Sequence, residues 1–302
     1  MVLALILFIL GTLVGSFLNV CIWRMPRHES VVHPPSHCPR CDTRLQPADL
    51  VPLLSQLLLR GRCRYCQTKI SWRYFGMEFL TGCLFTLPAL RADIVGDPVL
   101  LGRALVFLAT LVVIFWVDYD VQLIQMEAVL ILGLAGVSTD LYQVAFGHLN
   151  MVSGLTLFNL NLIPAPLPGS IMALILSAGV LWLLREVFSA IYKREAMGFG
   201  DVLLVAAIAA NLGWNATLVT FFFVAFVGGL PLSLVMQGPS ATRAYKWGKA
   251  RSRRYGKNPN LARDLVCRRL RRSIPFGPML ATAAVVALFF GEKLNLLYLN
   301  SL

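Results

Sequence analysis

Charged residues are scarce in this chain. Only 14% of its 302 residues are Asp, Glu, Lys or Arg, whereas 57% are hydrophobic, and the mean hydropathy is +0.70. A soluble globular domain carries about 25% charged residues. The composition therefore excludes an ordinary soluble enzyme.

The motifs of several enzyme classes are also missing. The sequence contains no nucleophile elbow around a serine, no glycine-rich phosphate loop and no His-Glu-x-x-His zinc-protease motif. Of only four histidines, three precede residue 38 and the fourth is His148. These absences leave the cysteines and the carboxylates as the candidates for chemistry.

The hydrophobic residues that are present fall into long blocks. Most blocks are about 16 to 23 residues long, which is enough to cross a hydrocarbon core of ~30 Å as a helix. We therefore predict an all-α polytopic membrane protein with about eight transmembrane helices and a cytoplasmic zinc-binding loop domain. The predicted spans are 2–23, 76–92, 99–117, 127–144, 169–191, 202–215, 217–236 and 276–291.

Two loops carry the positive charge. Residues 24–75 hold nine Lys or Arg and three acids, and residues 237–274 hold twelve and one, in a chain of net charge +12. Basic loops of membrane proteins stay in the cytoplasm, so both are predicted there, and the N-terminus outside. This interpretation favours membrane lipids over nucleic acid as the partner of the basic residues.

These assignments predict five consecutive regions. One of them, the transmembrane core, is expected to contain both Asp118 and Asp201. The regions are a first transmembrane helix (1–23), a cytoplasmic four-cysteine loop (24–75), a transmembrane core (76–236), a basic cytoplasmic loop (237–274), and a last transmembrane helix with its tail (275–302).

Four of the seven cysteines form two close pairs. Cys38-Pro-Arg-Cys41 and Cys63-Arg-Tyr-Cys66 are separated by 21 residues. Two such pairs suit a tetrahedral thiolate site, and four protein ligands leave no open position for catalysis. We predict a structural zinc ion, because a reducing cytoplasm disfavours disulfides. The alternative is two chance pairs or redox-active dithiols.

Carboxylates lie at the ends of two predicted spans. Asp118 and Asp120 end the third span, and Asp201 begins the sixth, directly after Gly198-Phe199-Gly200. The topology delivers them to the same membrane face, where two close carboxylates divide general-base and general-acid work on a water molecule. The alternative for Asp201 is an ordinary helix N-cap. Three other acids are expected to be isolated and solvated at the interface: Glu78, Asp140 and Glu186.

Further motifs identify a family resemblance. They include Gly15-Ser-Phe-Leu-Asn-Val20, both cysteine pairs, the run from Glu195 to Val202 that contains Gly198-Phe-Gly-Asp201, and Ile274-Pro-Phe-Gly-Pro278. Together the sequence resembles the bacterial prepilin peptidases, which are GxGD-type intramembrane aspartic proteases.

The resemblance implies a function and its residues. It implies an inner-membrane endopeptidase that removes the leader of type IV prepilins or type II secretion pseudopilins, and many members also N-methylate the new N-terminus with S-adenosylmethionine. The family's catalytic aspartates correspond to Asp118 and Asp201, and its metal-binding cysteines to the two pairs above.

The sequence departs from the family pattern at three places. Gln125-Met126 stands where Pro-Asp is usual, Leu203 stands where Lys is common, and 237–274 is longer and more basic than expected.

Two other functions compete with proteolysis: a noncatalytic assembly scaffold that docks through the zinc loop, and an ion- or proton-coupled transporter. The substrate, the oligomeric state and the identity of the general base are not determined by the sequence.

Overall fold

A computed structural model gives the fold of most of the chain. It describes residues 2–38, 40–146, 156–157, 160–161, 169–193, 198–214, 217 and 277–299. Most of the predicted span 217–236 and all of the predicted basic loop 237–274 lie outside the described residues. The chain divides into two compact units, residues 1–113 and 114–302.

The described elements are mainly helices. Four helices belong to the first unit: α1 (Val2–Arg24), α2 (Leu54–Leu58), α3 (Arg73–Thr86) and α4 (Ala92–Gly96). Short 3₁₀ turns cover Met25–Arg27, Pro47–Leu50 and Leu87–Leu90. Helix α5 (Pro98–Val121) begins in the first unit and ends in the second. The second unit continues with α6 (Met126–Ala145), the antiparallel strand pair β1 (Thr156–Leu157) and β2 (Leu160–Asn161), α7 (Gly169–Tyr192), α8 (Phe199–Leu212) and α9 (Gly277–Leu299).

Four of the described helices are long and apolar enough to cross a membrane: Val2–Arg27, Pro98–Val121, Met126–Ala145 and Gly169–Ile191. They coincide with four of the predicted spans. Phe199–Leu212 and Gly277–Phe290 are shorter apolar helices. The prediction of a helical membrane protein is therefore confirmed, while the number of eight spans stays a prediction.

The predicted span 76–92 differs from the structure. Helix α3 covers only Arg73–Thr86, and a 3₁₀ turn follows at Leu87–Leu90. Pro88 explains the break, because proline has no N–H to donate to the carbonyl of Leu84, four residues earlier, and its ring would clash with that carbonyl in an α-helix. Fourteen residues of helix are about 21 Å long, which is less than a hydrocarbon core.

Small residues let α1 and α3 pack closely. A methyl group added at Gly11 would lie 2.8 Å from Cβ of Phe85, and one added at Gly15 would lie 3.0 Å from Cβ of Thr81. This Gly-x-x-x-Gly spacing permits backbones to approach inside a membrane, where packing rather than the hydrophobic effect joins helices. The helix pair holds both ends of the segment that carries the four cysteines.

Two of the acids predicted to be isolated are bonded instead. Oε2 of Glu78, a buried residue, accepts a hydrogen bond of 2.8 Å from the backbone N–H of Leu53. Oδ2 of Asp140 accepts one of 2.9 Å from the N–H of Ser170. The prediction was wrong for both, because the partners lie 25 and 30 residues away. Glu186 is half exposed, as expected for an interfacial acid, but it is not isolated, because it pairs with the adjacent Arg185.

Helix α8 is fixed by its neighbours in the second unit. It packs against α6, α7 and α9. A methyl group at Gly136 of α6 would lie 2.7 Å from the carbonyl oxygen of Ala210, and Nδ2 of Asn211 donates to the Leu132 carbonyl at 2.8 Å. Because the buried amide gains an acceptor on α6, the rotation of α8 about its axis is set.

Candidate metal centre and candidate active site

The four paired cysteines converge on one point. The sulfur atoms of Cys38, Cys41, Cys63 and Cys66 all lie within 4.8 Å of one another, and those of Cys38 and Cys66 are 3.8 Å apart. A tetrahedral zinc site with Zn–S bonds of about 2.3 Å separates its sulfurs by roughly 3.8 Å. The donor set and its spacing therefore fit a tetrahedral metal ion, as the sequence predicted.

Each cysteine pair adopts the same backbone turn. The N–H of the first cysteine donates to the carbonyl five residues later, and its carbonyl accepts from the N–H four residues later, at 2.9 to 3.0 Å in every case. The residue after the second cysteine has a positive φ, 59° at Asp42 and 54° at Gln67. The two turns therefore present two sulfurs each from equivalent backbone positions.

The turns also favour thiolates at two positions. Hydrogen bonds from the side chain and backbone of Thr43 lower the pKa of Cys41 to about 6. The backbone N–H of Cys66 lowers the pKa of Cys63. At Cys66 the Thr68 N–H lowers the pKa, but burial and the neighbouring sulfurs outweigh it and raise the pKa to about 11. Thiolates are the form of cysteine that binds metal. A divalent cation among the four sulfurs would offset the mutual repulsion of their negative charges and so favour the thiolate at Cys66 as well.

An acid outside the cluster braces the second cysteine turn. The Asp49 carboxylate accepts hydrogen bonds from Nε of Arg64 at 2.6 Å, the Tyr65 hydroxyl at 2.9 Å and the Gln46 N–H at 3.2 Å. Its side chain is 4% exposed. Burial alone would raise the pKa of Asp49, but these three donors together lower it. Sequence reasoning missed this residue, since Asp49 and Arg64 are 15 positions apart.

Asp118 and Asp120 have different environments at the end of α5. The helix continues through Val121, so residues two apart point about 200° from each other. Asp118 is buried, and its Oδ2 accepts a hydrogen bond of 2.9 Å from the N–H of Gly277, the first residue of α9. Asp120 is half-buried. Of these two acids, Asp118 is thus the one buried against a second helix.

A tight turn joins α5 to α6. Gln122 has a φ of 52°, and its N–H donates to the Asp118 carbonyl at 2.8 Å. Gln125 is buried and precedes α6 with a φ of −77°. This φ lies within the range of proline. The departure Gln125-Met126 from the family's Pro-Asp therefore leaves a backbone conformation that proline also adopts.

Asp201 lies in the first turn of α8. Gly198 is the N-cap residue, with φ −66° and ψ 144°, so Asp201 is the third residue of the helix rather than its cap. A methyl group added at Gly200 would lie 3.2 Å from Cβ of Ile124, and one at Gly198 would lie 3.1 Å from Oδ2 of Asp201. The two glycines thus permit close approach to the α5–α6 turn and to the carboxylate.

Three helix ends therefore meet in the second unit. Gly200, next to Asp201, contacts Ile124 in the turn that follows α5. Asp118, near the end of the same helix, contacts the first residue of α9. In the sequence, Gly277 is marked only by the motif Ile274-Pro-Phe-Gly-Pro278 before the last span, which does not reveal its contact with Asp118.

The fold and these sites define a helical membrane protein with a cluster of four cysteines that could bind a metal ion and with carboxylates at helix ends. Comparisons with known protein families identify the family within this class. Residues 9–92 match the bacterial peptidase A24 N-terminal domain, and residues 105–233 match the type IV leader peptidase family. The chain belongs to this family and is a peptidase.

Curated relatives cover most of the chain. A prepilin leader peptidase/N-methyltransferase of Dickeya chrysanthemi is 34% identical over 76% of this chain and 82% of its own length. Proteins of the same name from Neisseria gonorrhoeae and Bacillus subtilis (strain 168) are 32% and 29% identical, over 76% and 98% of this chain and 80% and 97% of their own lengths. No solved structure matches the chain significantly. The resemblance predicted from the motifs is confirmed.

Proposed function

We propose that this peptidase removes the leader peptide of type IV prepilins or type II secretion pseudopilins, with Asp118 and Asp201 as its catalytic pair. The observation that carries the proposal is the contact between Gly200 and Ile124, which brings the start of α8 to the turn just after Asp118. Family membership supplies the reaction, and the relatives' names supply the substrate class.

In the proposed mechanism, the two carboxylates share one water molecule. The ionised carboxylate takes a proton from water while the water oxygen attacks the scissile carbonyl carbon. The protonated carboxyl donates its proton toward the carbonyl oxygen. The carbon–nitrogen bond then breaks, and the leaving amine takes up a proton. A coupled pair titrates as a unit, so the roles belong to the pair.

Gly198 and Gly200 support this pair by their lack of side chains. At Gly200 a Cβ would press on Ile124, and at Gly198 a Cβ would press on the Asp201 carboxylate. Both contacts would displace α8 or its acid by a few tenths of an ångström. Catalytic groups tolerate little misplacement, so both positions favour glycine.

The proposed topology orients the site toward the cytoplasm of the bacterial inner membrane. The proposal counts α3 together with the 3₁₀ turn Leu87–Leu90 as the second of eight spans. With the N-terminus outside, eight spans keep the basic segments 24–75 and 237–274 inside, as the positive-inside bias favours. The transmembrane core 76–236 then holds both aspartates, between the first helix 1–23 and the last helix with its tail, 275–302. A prepilin would enter laterally between spans, with its leader in the cytoplasm.

The metal that we propose for Cys38, Cys41, Cys63 and Cys66 is zinc with a structural role. Four thiolates match the preference of zinc and fill its tetrahedral coordination. Zinc bound there would cross-link the two cysteine turns and contribute to folding rather than to proteolysis.

Replacing Asp49 should loosen this module. In Asp49→Asn the ionic hydrogen bond to Arg64 is lost beside the second cysteine turn, at a cost of about 1–2 kcal/mol because Arg64 is half exposed. We expect the purified protein to release zinc to a chelator at a lower temperature. Asp42→Asn is the matched control, since the Asp42 side chain is 92% exposed. Equal release temperatures for the two variants would show that the Asp49 contacts do not brace the module.

The second activity that we propose is N-methylation of the new N-terminus. The relatives' names include it, and S-adenosylmethionine would supply the methyl group. The described residues show no βαβ nucleotide-binding unit and no other set that we can match to this cofactor.

Mass spectrometry of a co-expressed prepilin tests both activities. With the wild-type chain, we expect the mass of the mature pilin plus about 14 Da for one methyl group, and with Asp201→Asn the intact precursor. Loss of the leader without the added mass would show that the chain is a peptidase that does not methylate this pilin. An intact precursor with the wild-type chain would overturn the proposed function.

A further inference from the structure

One contact of Asp118 comes from the far end of the chain. Gly277 lies 159 residues later and begins helix α9, and its N–H donates to Oδ2 of Asp118 in a buried hydrogen bond of 2.9 Å. The motif that contains Gly277 is otherwise without a role in the proposed mechanism. The contact therefore needs an explanation of its own.

The start of α9 suits a carboxylate for two physical reasons. The first N–H groups of a helix have no acceptor within the helix, so the Gly277 N–H needs an external one. A helix N-terminus also carries partial positive charge, which attracts a carboxylate. Asp118 is buried, and both effects are stronger where water is excluded.

There is also no space for a side chain at residue 277. A Cβ built on Gly277 would lie 2.7 Å from Oδ2, 3.0 Å from Cγ and 3.1 Å from Cβ of Asp118. These distances are too short for ordinary contact, so a methyl group would push the carboxylate away. Only glycine allows the N–H to reach the acid at this distance.

We propose that Gly277 is a positioning residue, whose N–H fixes the Asp118 carboxylate in the orientation required for peptide cleavage. The proposal rests on the proposed function, because it takes Asp118 as catalytic. Oδ2 of the carboxylate is held by the first N–H of α9, so the acid cannot turn about its side-chain bonds without losing this hydrogen bond. A group held in this way reacts faster, because little freedom remains to be lost in the transition state.

Kinetics of Gly277→Ala test the positioning role. We expect kcat for prepilin cleavage to fall about 10- to 100-fold, as for a displacement of roughly 1 Å, with KM within about twofold because the contact is to the acid rather than to the substrate. The matched control is Gly179→Ala on α7, where an added methyl group meets no described atom within 4 Å. Wild-type kcat in Gly277→Ala, or a raised KM with normal kcat, would overturn the proposal.

A stability cycle tests the contact without relying on cleavage. Gly277→Ala should lower the thermal unfolding temperature in the wild-type background but not in an Asp118→Ala background, where the clashing carboxylate is gone. The same loss in both backgrounds would show that no such contact exists. If Gly277→Ala fails to accumulate, the double variant Gly277→Ala/Asp118→Ala should accumulate, and its failure to do so would overturn the contact. If the cycle shows coupling but the wild-type chain cleaves no prepilin, the proposed function fails and the contact stands.

Discussion

We expect Asp118→Asn and Asp201→Asn each to abolish cleavage of a prepilin leader, with activity falling by more than about 10³-fold. An amide neither takes up nor releases the proton that hydrolysis requires, and general acid–base catalysis by one group contributes about 10²- to 10⁴-fold. The measurement is the shift from precursor to mature pilin on a gel, with purified variants in detergent. Both substitutions keep the size of the side chain, so folding and zinc content should match the wild type.

Asp120→Asn is the control for this experiment. Asp120 lies on the same turn of α5 but points away from Asp118 and is only half-buried. We expect Asp120→Asn to retain activity within a few-fold of wild type. Full activity in Asp118→Asn with none in Asp120→Asn would show that the wrong acid was chosen, and full activity in Asp201→Asn would refute the aspartic-protease mechanism.

We expect Cys63→Ser to abolish binding of the proposed zinc ion. Cys63 is buried and begins the second cysteine turn, with its sulfur within 4.8 Å of the other three, and a serine hydroxyl does not replace a thiolate on zinc. Structural zinc contributes about 10–16 kcal/mol of apparent binding free energy in small domains, and that energy stabilises the fold. Metal analysis of the purified variant should show far less than one zinc per chain, with faster proteolysis of the 24–75 segment.

Cys83→Ser provides the comparison for Cys63→Ser. Cys83 is a cysteine of α3 outside the four-sulfur cluster, so we expect its variant to keep one zinc per chain. Undiminished zinc in Cys63→Ser would refute the proposed ligand set. Zinc loss without a change in thermal stability would instead refute the structural role.

The sequence predicted those parts of the site that depend on local spacing. Two residues separate the cysteines of each pair, a spacing typical of zinc-binding sites, so Cys38, Cys41, Cys63 and Cys66 could be predicted as one centre, and their clustering is confirmed. The rotation of about 100° per helical residue likewise implies, without tertiary structure, that Asp118 and Asp120 point apart if the helix continues through both. The contacts of Glu78 and Asp49 could not be predicted, because their partners lie 25 and 15 residues away in sequence.

By itself, the sequence determined that this is a helical membrane protein of the prepilin peptidase family, because hydrophobic blocks and short motifs are local properties of a chain. Only the tertiary structure decided which helix end meets which acid. The Gly277 N–H reaches Asp118 across 159 residues. Gly200 fits against Ile124 because glycine has no side chain where the side chain of Ile124 packs. Such contacts depend on how separate helices pack, and packing is a property of the whole fold rather than of any segment.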